Sequence, residues 1–439
     1  MSVRPEDTRY PAGTTFAWGL QHVLTMYGGI IAPPLIIGTA AGLDSAQIGL
    51  LVTAALFVSG CATLLQALGL PGLGARLPLV QGVSFASVAT LVSIASSGGG
   101  LPTVYGAIIV SALAGLLIAP FFAHVIRFFP PVVTGTVIAV IGLSLMPVAA
   151  RWAMGGHPSS PDWGAPHNIG LAGLVLAAIL LLNKVGGAAL KRLSVLLAMV
   201  LGTLWAALQG DADFAAVGDG AWLALPGVLT FGEPSFDLAA SVSMLLIVLV
   251  LLTETTAGLI AIGEIVETGV DSKRIAAGLR ADMLTSALAP LFNSFPQSAF
   301  AQNIGLVAMT GIKSRFVVAA GGGILIVLGL LPVLGRLVAA IPLPVLGGAG
   351  VVLFGTVAAS GIRTLAKVNY KDNMNLVIVA TAMAFGMIPI VMPTFYDRFP
   401  GWVQTLFHSG ISATCLVSVA LNLLFNARRR RLAPRRADR

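Results

Sequence analysis

Apolar runs of about 20 residues follow one another along almost the whole chain, and each is long enough to cross a bilayer as a helix. No other feature constrains the fold as strongly. Charged residues make up 10% of the 439 residues and hydrophobic residues 57%, whereas a soluble domain carries about 25% charged residues. The composition therefore predicts an all-α polytopic membrane protein.

The sequence contains fourteen such runs. They lie near residues 16–38, 48–68, 78–96, 103–123, 131–150, 168–184, 193–210, 238–263, 274–292, 296–311, 316–336, 342–360, 373–391 and 405–426. Because fourteen is an even number, both termini are expected on the same side of the membrane. The lipid bilayer is the first partner that the sequence predicts.

The distribution of basic residues supports this count. Of the 25 lysines and arginines, only Arg151, Arg336 and Arg398 fall in loops on the side opposite the termini. Basic residues concentrate in cytoplasmic loops, so we expect a multi-pass protein of the inner (plasma) membrane with both termini in the cytoplasm. Residues 428–439 are expected to form a basic cytoplasmic tail that attracts anionic lipid, and no nucleic acid is expected as a partner.

Residues 295–315 break the apolar pattern. Pro296, Gln297, Gln302 and Asn303 stand where a continuous span would be apolar. Irregular backbone at membrane depth is tolerated only inside protein or beside a cavity, so a discontinuous span that lines a binding site is predicted. The alternative is an ordinary kinked helix whose amides bond to a neighbouring helix.

Two short strings recur in the second half of the chain. Residues 84–87 recur at 299–302 with an offset of 215, and residues 127–135 recur at 342–348 with an offset of 213. Seven spans per half is an odd number, so the halves must be inverted across the membrane. The sequence thus predicts a 7+7 inverted repeat with broken third and tenth spans, which is a transporter architecture. Chance similarity of short proline and glycine strings is the alternative.

The tenth span also resembles a family signature. Gln302, Asn303 and Gly305, followed after four residues by Thr310 and Gly311, fit the pattern of the nucleobase–ascorbate transporters. That pattern is Gln, Glu or Pro, then Asn-x-Gly, four residues, Thr, and Arg, Lys or Gly. The resemblance extends over nearly the whole chain and favours the branch that transports xanthine or urate.

The resemblance implies more about the fold. Each broken span would contain a short strand followed by a half-helix, with the two strands antiparallel. A core domain would comprise residues 1–125 and 237–338, which hold spans 1–4 and 8–11. A gate domain would comprise residues 126–236 and 339–427, which hold spans 5–7 and 12–14, and it would form the interface of a homodimer.

Three ionisable residues within spans are candidates for proton coupling and site tuning, because charge at the membrane centre is costly. Glu254 matches the eighth-span glutamate that holds the base in the family; alternatively, it is a protonated carboxyl bonded to a neighbouring helix. Asp282 matches the ninth-span aspartate of purine transporters, with an ion pair to Arg280 or Arg274 as the alternative. His22 matches the first-span histidine, with a satisfied packing residue as the alternative.

The resemblance also implies the substrate contacts. The residues expected at the substrate are Ser84, Phe85, Glu254, Ala301, Gln302 and Asn303. Asn303 would brace the broken backbone, and Phe85 is alternatively a plain core residue. In the family, glutamine at the position of Gln302 goes with xanthine or urate, and a single amide both donates and accepts hydrogen bonds.

One position departs from the family. Gly258 stands one helical turn after Glu254, where many relatives carry a histidine or an acid. A proton relay between these two positions is therefore not expected. Glu254 and Asp282 would instead share the role of proton coupling.

Together these features predict a secondary active symporter that imports a purine nucleobase with protons by alternating access of the core domain against the gate domain. The alternatives are a uracil or pyrimidine permease of the same family and an anion transporter of the same fold. Glu254 argues against the latter, since a carboxylate repels an anion. The sequence shows no nucleophile–base pair, metal cluster or phosphate loop, so neither an enzyme nor a metal or cofactor is predicted.

Overall fold

The computed structural model describes residues 4–122, 129–156, 158, 160–212, 214–218, 221–371, 374–400, 403–404, 407 and 409–432. The helices are α1 (Ala12–Ala40), α2 (Ser45–Leu68), α3 (Phe85–Ile94), α4 (Gly100–Ile118), α5 (Pro131–Ser144), α6 (Met146–Ala153), α7 (Pro166–Val185), α8 (Ala188–Gln209), α9 (Leu238–Val266), α10 (Ser272–Leu288), α11 (Ala301–Thr310), α12 (Arg315–Gly329), α13 (Pro332–Ala339), α14 (Leu343–Leu365), α15 (Met374–Val391) and α16 (Gly410–Leu432). Two short strands are β1 (Gln81–Val83) and β2 (Gln297–Ala299).

Acidic residues begin several of these helices. Asp44 and Gln47 form a reciprocal capping box at the start of α2. Asp237 accepts a hydrogen bond from the backbone at the start of α9, and Asp271 does so at the start of α10. These bonds satisfy N–H groups that have no partner within the first helical turn.

Within the described residues, nine helices are long and apolar enough to span a membrane, or ten if the bent pair α12 and α13 counts as one span. The half-helices α3 and α11 have ten residues each and are too short to cross alone. The predicted span at 316–336 is wrong in its second part, because α12 and α13 meet at 78°. Pro332 has no backbone N–H and begins a new helix instead of continuing α12.

The two strands pair with each other. Their antiparallel register places Gln81 opposite Ala299, Gly82 opposite Ser298 and Val83 opposite Gln297. The prediction of short antiparallel strands in the third and tenth spans is confirmed. Each strand leads directly into a half-helix, β1 into α3 and β2 into α11.

The structure aligns the two halves with an offset of 216. Gln81 and Gln297 begin the strands, and Phe85 and Ala301 begin the half-helices, so that both pairs lie 216 residues apart. The offset of 215 that the recurring string indicated is wrong by one residue. The recurring string pairs Phe85 with Phe300 because both are phenylalanines. In the structure Phe300 is the residue before α11, and its counterpart in the first half is Ser84, the residue before α3.

The helices pack as two bundles. Helices α1–α4 and α9–α13 pack against one another, and so do α5–α8 and α14–α16. We call them the strand-containing bundle (residues 4–122 and 238–339) and the strand-free bundle (residues 131–209 and 343–432). The bundles meet where α1 packs on α8, where α3 packs on α5 and α16, and where α9 packs on α16.

The N-terminal segment lies against one end of the strand-containing bundle. Glu6 pairs with Arg274 at 3.0 Å, and Asp7 pairs with Arg315 at 2.6 Å. We call this end the terminal face and the opposite end the distal face.

A long connection covers part of the distal face. It joins α8 to α9, and its described hydrogen bonds reach the strand-containing bundle. Arg336 Nε donates to the carbonyl of Val217 at 3.0 Å, and Asn293 Nδ2 donates to the hydroxyl of Thr230 at 3.1 Å. Most of this connection is therefore attached to the bundle that follows it in the chain.

Candidate functional site

The two half-helices start side by side because the strands before them are paired. Two further bonds flank the ladder: Phe300 N–H donates to Val80 at 3.0 Å, and Ser84 N–H donates to Pro296 at 2.9 Å. From this centre α3 runs towards the distal face and α11 towards the terminal face. The positive ends of both helix dipoles therefore lie together inside the protein, where they favour electron-rich groups of a ligand.

The two helix starts are capped differently. Ser84 Oγ accepts a hydrogen bond from the N–H of Ala86 at 3.1 Å, so this predicted substrate residue caps α3. Phe300 precedes α11 and offers no side-chain cap. The backbones of Ala301 and Gln302 form the first turn of α11, whereas their side chains lie outside the described part of the structure. The start of α11 is thus the less satisfied of the two.

Aromatic rings border the centre. The ring of Phe300 covers Gly82, where a Cβ would collide with it, and it also approaches Gly29 of α1. Phe85 is half-buried and meets Phe354 of the strand-free bundle edge to face, with ring centroids 6.1 Å apart. Phe85 therefore lies at the junction of the two bundles, beside the half-helix starts.

Glu254 lies on α9 next to this centre. Gly258, one turn further along the same helix face, brings α9 against β2 and α11, since a Cβ there would lie 3.3 Å from both Ala299 and Ile304. Glu254 is half-buried, and its carboxyl forms no hydrogen bond or ion pair with any described residue. The alternative of a carboxyl bonded to a neighbouring helix is thus not seen among these residues.

Asp282 is buried at the contact of α10 with α2 and α9. Its carboxyl accepts hydrogen bonds from Gln66 Nε2 at 3.2 Å and from Thr255 Oγ1 at 2.6 Å. The alternative of an ion pair is wrong. Arg274 pairs with Glu6 at the terminal face, and Arg280 Nη1 donates to the backbone of Gly72.

His22 and Asn303 join α1 to α11. Asn303 Nδ2 lies 3.0 Å from His22 Nδ1 and 3.3 Å from the His22 carbonyl. The sequence predicts that Asn303 braces the broken backbone, but both described partners of its side chain belong to α1. His22 is buried and polar-bonded, and it orients the side chain that follows Gln302 in the motif.

The end of the motif terminates the half-helix. Thr310 Oγ1 donates to Leu306 at 2.8 Å, and Gly311 has a φ of +69° at the C-terminal cap of α11. A left-handed residue is the usual way to end a helix, and glycine adopts it without strain. Nothing lies within 4 Å of a Cβ built on Gly305. Gly305 therefore borders open space on the exposed side of α11.

A cavity of about 800 Å³ opens between the bundles on the distal side. Its polar lining residues include Ser93, Thr103, Ser144, Arg151, Asp237 and Ser409. At its inner end the hydroxyls of Thr90 (α3) and Ser409 lie 2.7 Å apart, and both residues are buried. Among the described residues, this is the one side-chain hydrogen bond that crosses between the two bundles.

Several residues at this site were missed by sequence reasoning. Gln66 and Thr255 hold Asp282, Phe300 covers the strands, and Thr90 bonds to Ser409 across the bundles. Gln66 could have been noticed as an amide within an apolar span. The others are ordinary helix residues whose roles depend on packing between distant segments. No group of three or more metal-ligating side chains occurs in the described ranges.

Comparison with known proteins agrees with this geometry. The sequence matches the family described as "Permease family" (Xan_ur_permease) over residues 13–395. The chain belongs to this permease family. The resemblance to the nucleobase–ascorbate transporters, xanthine/urate branch, is thereby confirmed, and the chain is a multi-pass membrane permease, not an enzyme.

Full-length relatives share about two fifths of their residues with this permease. The uric acid transporter UacT of Escherichia coli K12 is 39% identical over 417 residues, which cover 94% of this chain and 86% of that protein. The uric acid permease PucK of Bacillus subtilis 168 is 40% identical, covering 93% and 95%. A xanthine permease of Bacillus subtilis 168 is 39% identical, covering 94% of each.

Solved structures share the fold at low sequence identity. The transmembrane domain of the cyanobacterial bicarbonate transporter BicA has a TM-score of 0.62 and 15% identity, covering 95% of this chain and 99% of that one. Murine Slc26a9, an anion transporter in the inward-facing state, has a TM-score of 0.63 and 14% identity, covering 96% and 69%. These likenesses confirm the all-α fold with a 7+7 inverted repeat.

Proposed function

We propose that this permease is a secondary active symporter that imports a purine nucleobase of the xanthine or urate type together with protons. The observation that carries the proposal is Glu254, a half-buried carboxyl with no described partner beside two half-helix starts. Relatives named as uric acid and xanthine permeases, similar over nearly their whole length, support the choice of substrate.

The chemistry of the site suits an oxidised purine. Such a base presents ring N–H groups and carbonyl oxygens in one plane. Glu254 accepts from a ring N–H, and the uncapped start of α11 donates to a carbonyl. Phe85 borders the flat face of the ring. By the family resemblance we assign to Gln302 a further donor and acceptor for the base, with Ala301 and Asn303 beside it in the chain, while Ser84 caps the opposite helix start.

Protons balance the charge of the carboxyls during transport. An ionised carboxylate is costly inside a membrane protein without a partner. We assign proton binding to Glu254 and Asp282, and we assign to His22 the orientation of Asn303 beside the base. Gly258 lies close to Ala299 and Ile304, each 3.3 Å from its Cβ position, and contributes no second titratable group beside Glu254.

Transport proceeds by alternating access of two domains. The core domain of residues 1–125 and 237–338 contains both half-helices, and the gate domain of residues 126–236 and 339–427 faces them. Two observations support relative motion: the cavity of about 800 Å³ separates the bundles on the distal side, and the Thr90–Ser409 bond alone joins described side chains across them.

Two other substrates are less well supported. In the family that this chain resembles, glutamate at the position of Gln302 goes with uracil, so the glutamine here favours a purine over uracil. The bicarbonate and anion transporters among the solved structures share the fold only. An anion in this site would face the carboxyl of Glu254 and be repelled when that group is ionised.

We propose that the permease lies in the inner membrane with both termini in the cytoplasm, because most of its basic residues lie outside the distal loops. The distal cavity would then open away from the cytoplasm. We further propose a homodimer that forms through the gate domain.

Uptake of labelled bases tests the proposal. Cells that express the permease are given labelled xanthine, urate or uracil, with and without a protonophore. We expect accumulation of xanthine or urate that the protonophore removes. Uptake of uracil alone would contradict the purine assignment, and accumulation that persists with the protonophore but requires sodium would contradict proton coupling.

A further inference from the structure

The strand that leads into α11 is held to α9 by one hydroxyl. Thr255 Oγ1 accepts a hydrogen bond from the backbone N–H of Ala299 in β2 at 3.4 Å. The same hydroxyl donates to Asp282 Oδ2 at 2.6 Å. Thr255 and Asp282 are only 0% and 1% exposed, so no solvent competes with these bonds. A single oxygen atom thus connects a titratable carboxyl to the backbone that precedes the substrate site.

The other carboxyl oxygen of Asp282 also faces a donor. Gln66 Oε1 accepts from the backbone N–H of Ala75 at 3.0 Å, which fixes the orientation of the amide. Gln66 Nε2 must then point at Asp282 Oδ1, 3.2 Å away. The Gln66 amide is therefore a donor to Asp282, and the Thr255 hydroxyl can donate as well, so an ionised carboxylate can be satisfied at both oxygens.

Protonation of Asp282 would reverse one of these bonds. A proton that binds at Oδ2 makes this oxygen a donor, and its O–H then points at Thr255 Oγ1. The Thr255 hydroxyl must turn its own hydrogen elsewhere, and the carbonyl four residues earlier, on Leu251, is the acceptor that a helix offers. Thr253 and Thr256 of the same helix already make this type of bond, at 2.8 and 2.7 Å.

The reversal weakens the hold on β2. A hydroxyl that donates to a carboxylate is a better acceptor than one that donates to a neutral carbonyl, because bonds in a chain polarise one another. The bond from Ala299 to Thr255 is at 3.4 Å, the long end of the range for an N–H donor. A small loss of acceptor strength therefore decides whether this bond persists.

We propose that Thr255 is a positioning residue that transmits the protonation of Asp282 to strand β2 and so to the start of α11. The inference rests on the proposed function, in which Asp282 takes part in proton coupling. With Asp282 ionised, Thr255 holds β2 in place. With Asp282 protonated, the bond from Ala299 to Thr255 weakens, the end of β2 can shift while its pairing with β1 persists, and the geometry of the substrate site changes.

Among the described residues, no other titratable group forms a hydrogen bond or ion pair with this carboxyl. The helices packed against α10 are α2, α4 and α9, and their titratable side chains are Cys61, Tyr105, Glu254 and Glu264. Helix α10 itself carries Lys273, Arg274 and Arg280. In the described structure none of these forms a hydrogen bond or ion pair with Asp282, so Thr255 and Gln66 are its partners.

Removal of the Thr255 hydroxyl should impair proton-driven accumulation while leaving binding and exchange of the base largely intact. Purified Thr255→Val is reconstituted into vesicles and assayed in two ways with labelled xanthine or urate, whichever the unmodified permease transports. One assay measures accumulation driven by an imposed proton gradient. The other measures exchange of labelled for unlabelled base at equal pH, which needs no net proton movement. We expect accumulation to fall at least tenfold and exchange to stay within about threefold.

Two matched variants control for packing. Thr256→Val removes a neighbouring buried hydroxyl that bonds only within its own helix, and Thr255→Ser retains the relay. Both should stay within about twofold of the unmodified permease in both assays. If Thr255→Val does not reach the membrane, Thr255→Ala replaces it, since this variant removes the same hydroxyl without adding bulk.

Three results would overturn the inference: normal accumulation by Thr255→Val, equal losses of exchange and accumulation, or no recovery in Thr255→Ser. Failure of the proposed function looks different, because it shows in the unmodified permease. In that case the unmodified protein transports no purine in either assay, or its accumulation does not depend on the proton gradient.

Discussion

The two half-helices of this permease occupy equivalent places in the inverted repeat, yet their surroundings differ. Gln81 begins β1, and both atoms of its amide are buried without a partner in the described structure. Gln297 begins β2, and its amide accepts from Ser59 at 3.0 Å and donates to Phe295 at 2.8 Å. The first half is capped by Ser84, whereas Phe300 leaves the second uncapped.

The two halves are therefore held in place by different hydrogen bonds. The second strand is fastened at its beginning by Gln297 and at its end by Thr255, and the helix that follows it is left open to a ligand. At the start of α3, the hydroxyl of Ser84 accepts a hydrogen bond from the backbone N–H of Ala86. The repeat thus supplies a symmetric frame, and a few side chains make the surroundings of its two halves different.

The largest expected effect tests whether the second half works through Glu254. Glu254→Gln keeps the shape but removes the titratable group beside β2 and α11, so we expect active uptake to disappear while the protein still reaches the membrane. Accumulation of labelled base measures this. Glu264→Gln is the control, because Glu264 is exposed near the terminal end of α9 and should retain uptake. Near-normal accumulation by Glu254→Gln would remove this residue from the mechanism.

The next effect concerns the close approach within the strand pair. A Cβ at Gly82 would collide with the ring of Phe300, and overpacking of this kind costs about 1–3 kcal/mol. We expect Gly82→Ala to lower the free energy of unfolding by this amount and, because the ring of Phe300 must move beside the half-helix starts, to slow the initial rate of uptake. Ser298→Ala, directly opposite in the register, should stay within about twofold. Equal rates in the two variants would show that Phe300 adapts freely.

The amides at the strand starts give a smaller effect on stability. Gln297→Leu leaves the hydroxyl of Ser59 and the carbonyl of Phe295 without partners, which costs about 1–3 kcal/mol. Gln81→Leu removes an amide that has no described partner, so it should leave stability unchanged or increase it. Thermal unfolding in detergent compares the two. The same shift in both variants would contradict the difference described between the strands.

The smallest effect concerns capping. Ser84→Ala removes the cap of α3 and should destabilise the protein by about 0.5–2 kcal/mol, with a lower unfolding temperature. Phe300 has no cap to lose, so any destabilisation by Phe300→Leu comes from lost packing of its buried ring against Gly82 and Gly29. An unchanged unfolding temperature in Ser84→Ala would indicate that the substrate site, not the helix, depends on this hydroxyl.

Much of the fold could be predicted from the sequence, because hydrocarbon imposes simple requirements on length and polarity. The apolar runs predicted the membrane spans, and the polar stretch at 295–315 predicted that the tenth span is broken. The bend between α12 and α13 was missed, since Pro332 stands within an apolar run. The repeat was recognised with a one-residue error, because matching Phe85 with Phe300 used side-chain type where backbone position was needed.

The site was harder to predict than the fold. Glu254 and Asp282 stood out because charge within a span is rare. The sequence did not reveal that Asp282 bonds to Gln66 and Thr255, since α2, α9 and α10 are far apart in the chain. Nor did it reveal that Asn303 bonds to His22. These hydrogen-bond partners depend on which helices pack together, and a single sequence does not show which distant helices are in contact.

The connection between α13 and α14 has a mechanical consequence. Helix α13 ends at Ala339 and α14 begins at Leu343, so a tether of three residues joins the bundles at the distal face. An extended chain spans at most about 3.3–3.6 Å per residue, which limits this tether to roughly 10 Å. One edge of the two bundles is thus fastened like a hinge. Any relative motion of the two bundles would therefore be smallest at that edge.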